Sequence, residues 1–357
     1  MDGTSASPQR LNASQRSAHI REVVLAKGVE LRERYPILKH QDAMGAGILT
    51  FALAGMVGSA ALYMTGHMAW WACLLLNAFF ASLTHELEHD LIHSMYFRKQ
   101  KVPHNLMMGL VWLARPSTIN PWIRRHLHLN HHKVSGSEAD LEERAITNGE
   151  PWGFARFLMI GDNIMSSFIR MLRAKTLAMK FSIIYRTLKV YAPLALMHWG
   201  AWYVFLGIHA ANGIAHLMGA PIEWSAMTLS VMQVIDIAAV VIIGPNVLRT
   251  FCLHFISSNM HYYGDVEPGN VMQQTQVLNA WWLWPLQAFC FNFGSSHSIH
   301  HFVVKEPFYI RQLTVLVGHK VMREMGVRFN DFGTFARANR FEGKEEAVGV
   351  RTQTAHV

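Results

Sequence analysis

The sequence predicts an all-α integral membrane protein, with four transmembrane helices in two hairpins and a cytoplasmic helical cap that carries clustered histidines. Three observations support this fold class. Hydrophobic residues make up 51% of the 357-residue chain and charged residues only 16%, whereas soluble domains average about 25% charged residues. Four segments are almost free of formal charge, and the positive residues collect outside them. The histidine clusters stand at the ends of these segments.

Four segments are long and apolar enough to be transmembrane helices. A helix needs about 20 mainly apolar residues to cross the hydrocarbon core. The first two segments, about 44–65 and 68–84, contain no Asp, Glu, Lys or Arg. The other two, about 190–209 and 226–246, contain only Asp236. We expect Asp236 to pair within the helix bundle, although a buried acid could instead orient a substrate head group.

The distribution of Lys and Arg predicts the orientation of the chain. Positively charged loops tend to remain in the cytoplasm. Of the 32 Lys and Arg residues, 7 lie in residues 1–43, 15 in residues 85–189 and 10 in residues 249–357. The turns within the two hairpins hold none. We therefore expect both termini and the central loop to be cytoplasmic. The net charge of +8 is expected to lie on a cytoplasmic surface that faces the membrane. We expect no nucleic-acid partner.

The same patterns divide the chain into three parts. Residues 1–43 are predicted to be a cytoplasmic N-terminal segment, residues 44–310 the membrane domain and residues 311–357 a cytoplasmic tail. Within the membrane domain, residues 104–114 are apolar but too short to cross, so we expect them at the interface. Residues 270–304 carry no formal charge but are interrupted by proline and polar residues, so we expect a re-entrant segment there.

Ten of the 21 histidines stand in tight clusters or directly after a predicted span. They are His85, His89 and His93 in HELEHDLIHS, His128, His131 and His132 in RRHLHLNHH, His261 in NMHYYGD, and His297, His300 and His301 in HSIHH. On a helix, residues i, i+3 and i+4 project from one face. We therefore expect each HxxHH to present three imidazoles to one point.

Imidazoles in this arrangement indicate metal binding. Neutral imidazole is a good ligand for divalent iron, copper, nickel and zinc. About nine imidazoles are too many for one ion, so the sequence predicts two. The three cysteines lie in apolar surroundings, and carboxylates near the histidines can hold the outer ring nitrogens, which favours iron over zinc. These acids are Glu86, Glu88, Asp90, Glu138, Asp140, Glu142 and Glu143.

Other interpretations use the same residues differently. Each histidine could be an ordinary surface residue, an alternative that is stronger for His261 and His85 than for the two HxxHH boxes. A membrane subunit with bound heme would need single histidines that face each other from two spans. A metal transporter would need ionisable residues along a path through the membrane, where only Asp236 stands.

The histidine pattern resembles that of the integral-membrane fatty acid desaturase and hydroxylase family over about residues 44–310. The segment HDLIHSMYFRKQKVPHNLMM is similar to the first family box, HxxxH, and RHLHLNHH fits the second, with Arg125 in its arginine position. This register assigns His89 and His93 to the first box and leaves His85 as an extra, while HELEH offers the other pairing. His261, after Asn259, corresponds to a further histidine that some members use.

The resemblance implies a di-iron oxidoreductase that uses O2 as co-substrate to remove hydrogen from a fatty acyl chain. It implies that the ten histidines include the iron ligands. We expect Asp90, Arg125, Asn259 and Glu142 to hold these ligands in place without binding the irons themselves. The product is either an unsaturated fatty acid or, by oxidative decarboxylation of a medium-chain fatty acid, a terminal alkene. Hydroxylation of an acyl chain or alkane at the same site is the alternative.

The resemblance also bears on location and electron supply. The stretches TNGEPW and ADLEER are similar to a bacterial branch that includes terminal-alkene-forming fatty acid decarboxylases, which implies the bacterial inner membrane. The chain contains no cytochrome b5 heme motif, iron-sulfur cysteine set or dinucleotide fingerprint. We therefore expect an external donor, a ferredoxin, rubredoxin or cytochrome with its reductase, to dock on the basic cytoplasmic face.

Overall fold

The computed structural model describes residues 11–147 and 149–342, and most of this part of the chain is helical. Apart from helices it contains only two isolated β-bridges, so the predicted all-α class is confirmed. The α-helices are α1 (Ala13–Arg34), α2 (Gln41–Met64), α3 (Trp70–Ile92), α4 (Lys101–Ala114), α5 (Pro121–Val134), α6 (Leu141–Ile146), α7 (Phe154–Gly161), α8 (Asn163–Arg173), α9 (Leu177–Tyr191), α10 (Leu194–Leu217), α11 (Ala226–Ala238), α12 (Gly244–Met260), α13 (Val271–Gln274), α14 (Trp284–Ala288), α15 (Phe293–Phe302), α16 (Phe308–Glu324) and α17 (Gly333–Ala336).

Three helices in the described residues are long and apolar enough to cross a membrane. They are α2, α10 and the continuous helix Ala226–Met260, which joins α11 to α12. They correspond to the first, third and fourth predicted spans, although α10 begins only after Pro193 and the last helix extends well beyond residue 246. Large apolar side chains such as Val57, Leu217 and Met227 are exposed on them, as expected for surfaces that face lipid.

The second predicted span, residues 68–84, lies within α3 but is not among these three helices. α3 packs along α2 and along α12. Its first two thirds are apolar, and its last two turns carry the sequence HELEHDLI. The helix therefore does not end where the apolar run ends, and it extends the hairpin into the region of the histidines.

A π-helical turn at Ala239–Ile243 connects α11 to α12 just before Pro245. Proline has no N–H and crowds the carbonyl four residues earlier, which here belongs to Val241. That carbonyl instead accepts a hydrogen bond of 2.8 Å from the Asn77 side chain of α3. Asn77 also contacts the Ser59 hydroxyl of α2, so one amide links three long helices.

Shorter elements complete the region around the histidines. α5 packs against α3 and α6, and α15 packs against α12 and α16. Residues 270–304, for which a re-entrant segment is predicted, form only short helices. Residues 311–342 do not extend away from the core, because α16 packs against α1 and α15.

Candidate metal centre

Two adjacent groups of buried or half-buried histidines lie where α3, α5, α12 and α15 meet. In each group, one ring nitrogen from each histidine lies within 4.8 Å of those of the others. Cluster one consists of His89, His93, His128, His132 and His300, and cluster two of His131, His261 and His301. The structure thus brings together eight of the ten histidines that the sequence singled out.

Cluster one contains a closed ring of four imidazole nitrogens. The Nε2 atoms of His93, His128, His132 and His300 are separated in turn by 3.0, 3.1, 3.0 and 3.1 Å. A square with such sides has its centre about 2.2 Å from each corner, close to the roughly 2.0–2.1 Å of a metal–imidazole bond. Both ring nitrogens of the fifth member, His89, are buried without a partner. These atoms fit a metal ligand set.

The imidazoles of cluster two are also oriented as metal ligands, through hydrogen bonds of their Nδ1 atoms. Each of its imidazoles has Nδ1 bonded to a protein oxygen: Asp140 for His131 (2.8 Å), the backbone carbonyl of Ser257 for His261 (3.0 Å) and Gln274 for His301 (3.0 Å). Because these oxygens accept, Nδ1 carries the proton and Nε2 offers its lone pair. The Nε2 atoms of His261 and His301 are buried without a partner.

The two remaining histidines occupy different places. The ring of His297 lies between the clusters, with its centroid 5.3 Å from that of His89 and 5.1 Å from that of His301. His85 belongs to neither cluster. Its Nδ1 lies 3.2 Å from Nη1 of Arg115, which can only donate. The structure therefore groups His89 and His93 with the other boxes and leaves His85 outside.

Each HxxHH box divides its imidazoles between the two clusters, so the expectation that all three face one point is wrong. A helix turns about 100° per residue, which puts residues i+3 and i+4 about 60° before and 40° after residue i. His128 and His132 consequently face cluster one, while His131 faces cluster two. In the third box, His300 and His301 separate in the same way.

A chain of alternating charges supports cluster one from the side of α5. Glu142 accepts a 2.7 Å hydrogen bond from Nδ1 of His128, so Nε2 of this neutral imidazole carries the lone pair. Arg124 bridges Glu142 at 3.2 Å and Glu88 at 3.0 Å. Glu88 is completely buried and also pairs with Arg115. Glu142, which was predicted to support the ligands, is thus hydrogen-bonded directly to His128.

A second buried charge network contacts His300. Nη2 of Arg311 lies 3.1 Å from Asp90 and 3.5 Å from Glu86, and its Nη1 contacts Nδ1 of His300. Asp90 also accepts the backbone N–H of Phe308 at 2.8 Å. Since a guanidinium can only donate, this contact favours the proton of His300 on Nε2, and a metal bound there would have to displace it.

The other two predicted supporting residues lie further out. Arg125 contacts the hydroxyl of Ser94, next to His93 in the sequence. Asn259 accepts from Arg156 at 3.2 Å and donates to a backbone carbonyl of its own helix. In the described part of the chain, neither side chain is hydrogen-bonded to a clustered imidazole. Arg311 and Gln274 were not predicted, because neither belongs to a motif and both reach the histidines only through the fold.

Burial keeps most of the clustered imidazoles neutral. It lowers the pKa of His132, His297, His300 and His301 below the usual histidine range, and a metal requires the neutral form. His131 is the exception. Burial lowers its pKa, but the adjacent Asp140 outweighs this effect and raises the pKa to about 9.

A largely apolar cavity of about 740 Å³ lies among the long helices. Its wall includes Trp70 of α3, Phe205 of α10 and Phe251 of α12. The one ionisable pair in the wall is His209 and Asp236, whose Nε2 and Oδ1 atoms are 2.8 Å apart. The expected pairing of Asp236 is confirmed. The cavity has the size and lining to accept an acyl chain.

The sequence also matches a known protein family. The sequence model of the family described as "Fatty acid desaturase" matches residues 65–332. This range covers about three quarters of the chain and includes every histidine of both clusters. Among curated proteins, none matches the chain.

Proposed function

The chain belongs to the fatty acid desaturase family, and from this we propose that it is a membrane-bound di-iron oxidase that uses O2 to remove hydrogen from a fatty acyl chain. Membership of the family implies an oxidoreductase that acts on fatty acids. The observation that supports the more specific proposal is the pair of imidazole clusters, in each of which one ring nitrogen per residue lies within 4.8 Å of the others, with unpartnered nitrogens at His89, His261 and His301.

The clusters would divide the ligands of the two irons. His89, His93, His128, His132 and His300 would hold one ion. The other would be held by His131, His261 and His301, with His297 close to both. When bound, the irons supply the redox chemistry that activates O2. The protein orients the imidazoles through Asp140, Glu142 and Gln274 and keeps bulk water away from the reacting groups by burying them.

The membrane arrangement supports delivery of an apolar substrate. We propose that α3 is the second of four spans, that both hairpin turns face away from the cytoplasm, and that the termini and clusters lie on the cytoplasmic side of a bacterial inner membrane. An acyl chain could then enter the apolar cavity directly from the lipid. Electrons would come from an external ferredoxin, rubredoxin or cytochrome with its reductase.

The reaction that we propose forms a C=C bond, either within the chain or, with loss of CO2, at its end. Hydroxylation at the same site is the second candidate. Cells that express the protein are fed isotope-labelled lauric and palmitic acids. Headspace hydrocarbons and lipid methyl esters are then analysed together. Labelled 1-undecene or 1-pentadecene would identify decarboxylation, labelled unsaturated esters desaturation, and labelled hydroxy acids hydroxylation.

Two variants make this experiment specific to the clusters. His128→Ala removes a buried member of cluster one, and we expect it to abolish every labelled product. His126→Ala changes an exposed histidine of the same helix and should leave product formation at the wild-type level. Products that persist in the His128 variant would refute the assignment of the metal centre.

A further inference from the structure

Four arginine side chains in the described part of the chain are less than 2% exposed. They are Arg115, Arg156, Arg249 and Arg311. A buried guanidinium is unfavourable unless anions or several oxygen acceptors surround it. Arg115 pairs with Glu88, and Arg311 with Glu86 and Asp90. The other two have no carboxylate partner among the described residues.

Arg156 shows how a buried arginine is satisfied without an acid. Its guanidinium donates to four neutral oxygens and stacks over the Trp152 ring at 5.0 Å. The acceptors are the carbonyls of Glu150 and Ser258 and the side chains of Asn259 and Asn339. Only its Nε remains without an acceptor.

Arg249 of α12 differs, because most of its donors have no acceptor. Its Nη2 lies 3.2 Å from the Ser117 hydroxyl and 3.1 Å from that of Thr250. Its Nε and Nη1 are buried and unpartnered, and no described carboxylate oxygen lies within the 4.0 Å of an ion pair. A buried positive charge with three unsatisfied N–H groups is unfavourable, and binding of an anion would satisfy both the charge and the donors.

The two hydroxyls beside Arg249 are held in place by further hydrogen bonds. The hydroxyls of Ser117 and Thr250 are 3.0 Å apart. The carbonyl of Ser117 is fixed by the Trp199 indole N–H at 3.2 Å and by the Asn163 amide, also at 3.2 Å. In Arg115, whose charge interacts with that of Arg249, Nε is likewise buried without an acceptor.

We propose that Arg249, with the hydroxyls of Ser117 and Thr250, binds the carboxylate of a free fatty acid. The proposal rests on the proposed function, since the bound molecule is its acyl substrate, and it means that the protein takes the free acid and not an ester or thioester. A planar guanidinium flanked by hydroxyls matches the two oxygens of a carboxylate.

The position of Arg249 argues for an anion that carries an acyl chain. Arg249 lies in the helix Ala226–Met260, which is long and apolar enough to cross a membrane, and Val247, Leu248 and Phe251 line the apolar cavity on another side of this helix. An anion that reaches Arg249 from the membrane would therefore be attached to an apolar chain. Arg115 contacts His85, which lies one turn of α3 before His89 of cluster one. The carboxyl end of the acid would therefore be the end nearest the metal centre.

Binding of a matched ligand series to the purified full-length protein in lipid nanodiscs tests this proposal. Dissociation constants are measured for dodecanoate, methyl dodecanoate and dodecanol, with acetate as competitor. We expect dodecanoate to bind at least about 10-fold more tightly than the two uncharged ligands, the loss expected when charge-assisted hydrogen bonds are removed. Acetate should not compete at equal concentration, because it has no acyl chain.

Two variants complete the test. Arg249→Met should weaken dodecanoate binding about 10- to 100-fold while binding of the methyl ester stays unchanged. Arg156→Met removes an equally buried arginine whose Nη1 and Nη2 donors already have acceptors, so the acid-to-ester ratio should stay at the wild-type value. If the Arg249 variant does not fold, the ligand series on the wild-type protein still decides.

Three results would overturn the proposal: equal affinity of the wild-type protein for acid and ester, full dodecanoate affinity in folded Arg249→Met, or effective competition by acetate. The iron content of the same preparations is measured separately. Selective binding of the acid by a protein that takes up no iron would refute the proposed oxidase function and leave the carboxylate site standing.

Discussion

His131 and His132 are neighbours in the sequence, yet their imidazoles belong to different clusters. Their ring centroids are only 5.5 Å apart, and the 100° turn between consecutive helical residues separates the directions in which they point. His300 and His301 repeat the arrangement on α15, with centroids 6.2 Å apart. Each His-His pair thus supplies one imidazole to each cluster, and the two clusters would hold the two proposed irons.

This division predicts different results for the two neighbours. His131→Ala should lower the iron content from about two to about one per chain, because all five imidazoles of cluster one remain. His132→Ala should instead weaken binding in cluster one. Iron is measured by mass spectrometry against protein concentration, with the exposed His126→Ala as control. Two irons and full activity in His131→Ala would show that this residue is not a ligand.

Replacing a carboxylate that is hydrogen-bonded to a ligating histidine should weaken metal binding, although the histidine itself remains. Asp140 and Glu142 accept hydrogen bonds from His131 and His128. We expect Asp140→Asn and Glu142→Gln to lower metal affinity about 10- to 100-fold, the usual effect of such partners. Chelator titration measures this change. Glu138→Gln, which alters an acid not hydrogen-bonded to a clustered histidine, should retain wild-type affinity, and an equal loss there would point to a general charge effect.

The pair of Asp236 and His209 is expected to be structural. Hydrogen bonds between membrane helices contribute about 0.6 kcal/mol on average, and both side chains are about half exposed. Asp236→Asn should therefore lower the melting temperature only slightly and leave iron content and turnover unchanged. Loss of turnover in a variant with normal melting temperature would favour the other interpretation, in which Asp236 orients the substrate.

The amide of Asn77 should stabilise the bundle at the π-helical turn. Asn77→Leu removes the Asn77 donor from the partly buried carbonyl of Val241, and an unsatisfied buried acceptor costs about 1–3 kcal/mol. We expect a clear decrease in the denaturant midpoint of unfolding. Asn212→Leu, which removes a hydrogen bond to Trp224 near the far end of α10, should have a smaller effect. Comparable midpoints for the wild type and the Asn77 variant would contradict this role.

Much of the architecture is predictable because it depends on local patterns. Charge-free runs identify the long helices, and the i, i+3, i+4 spacing identifies the histidine boxes. The boundary of α3 was not predictable from hydropathy, since the helix continues without a break from the apolar run into HELEHDLI. The apolar pattern predicts which residues lie in the membrane, whereas the backbone hydrogen bonds determine where the helix ends.

The environment of the histidines was predictable only in part. Glu142 follows its partner His128 closely in the sequence, and local acids were expected to support ligands. Gln274 and Arg311 reach His301 and His300 through packing, which a single sequence does not reveal. The lack of acceptors around the buried guanidinium of Arg249 is likewise visible only in the three-dimensional structure.

The iron content of the purified wild-type protein tests the central claim most directly. Metal analysis and the visible spectrum are recorded on the same preparation, purified from cells grown with ample iron. We predict close to two irons per chain and no heme absorbance band. A protein with no bound iron, or with iron accounted for by heme, would contradict the assignment of the two histidine clusters as a di-iron centre.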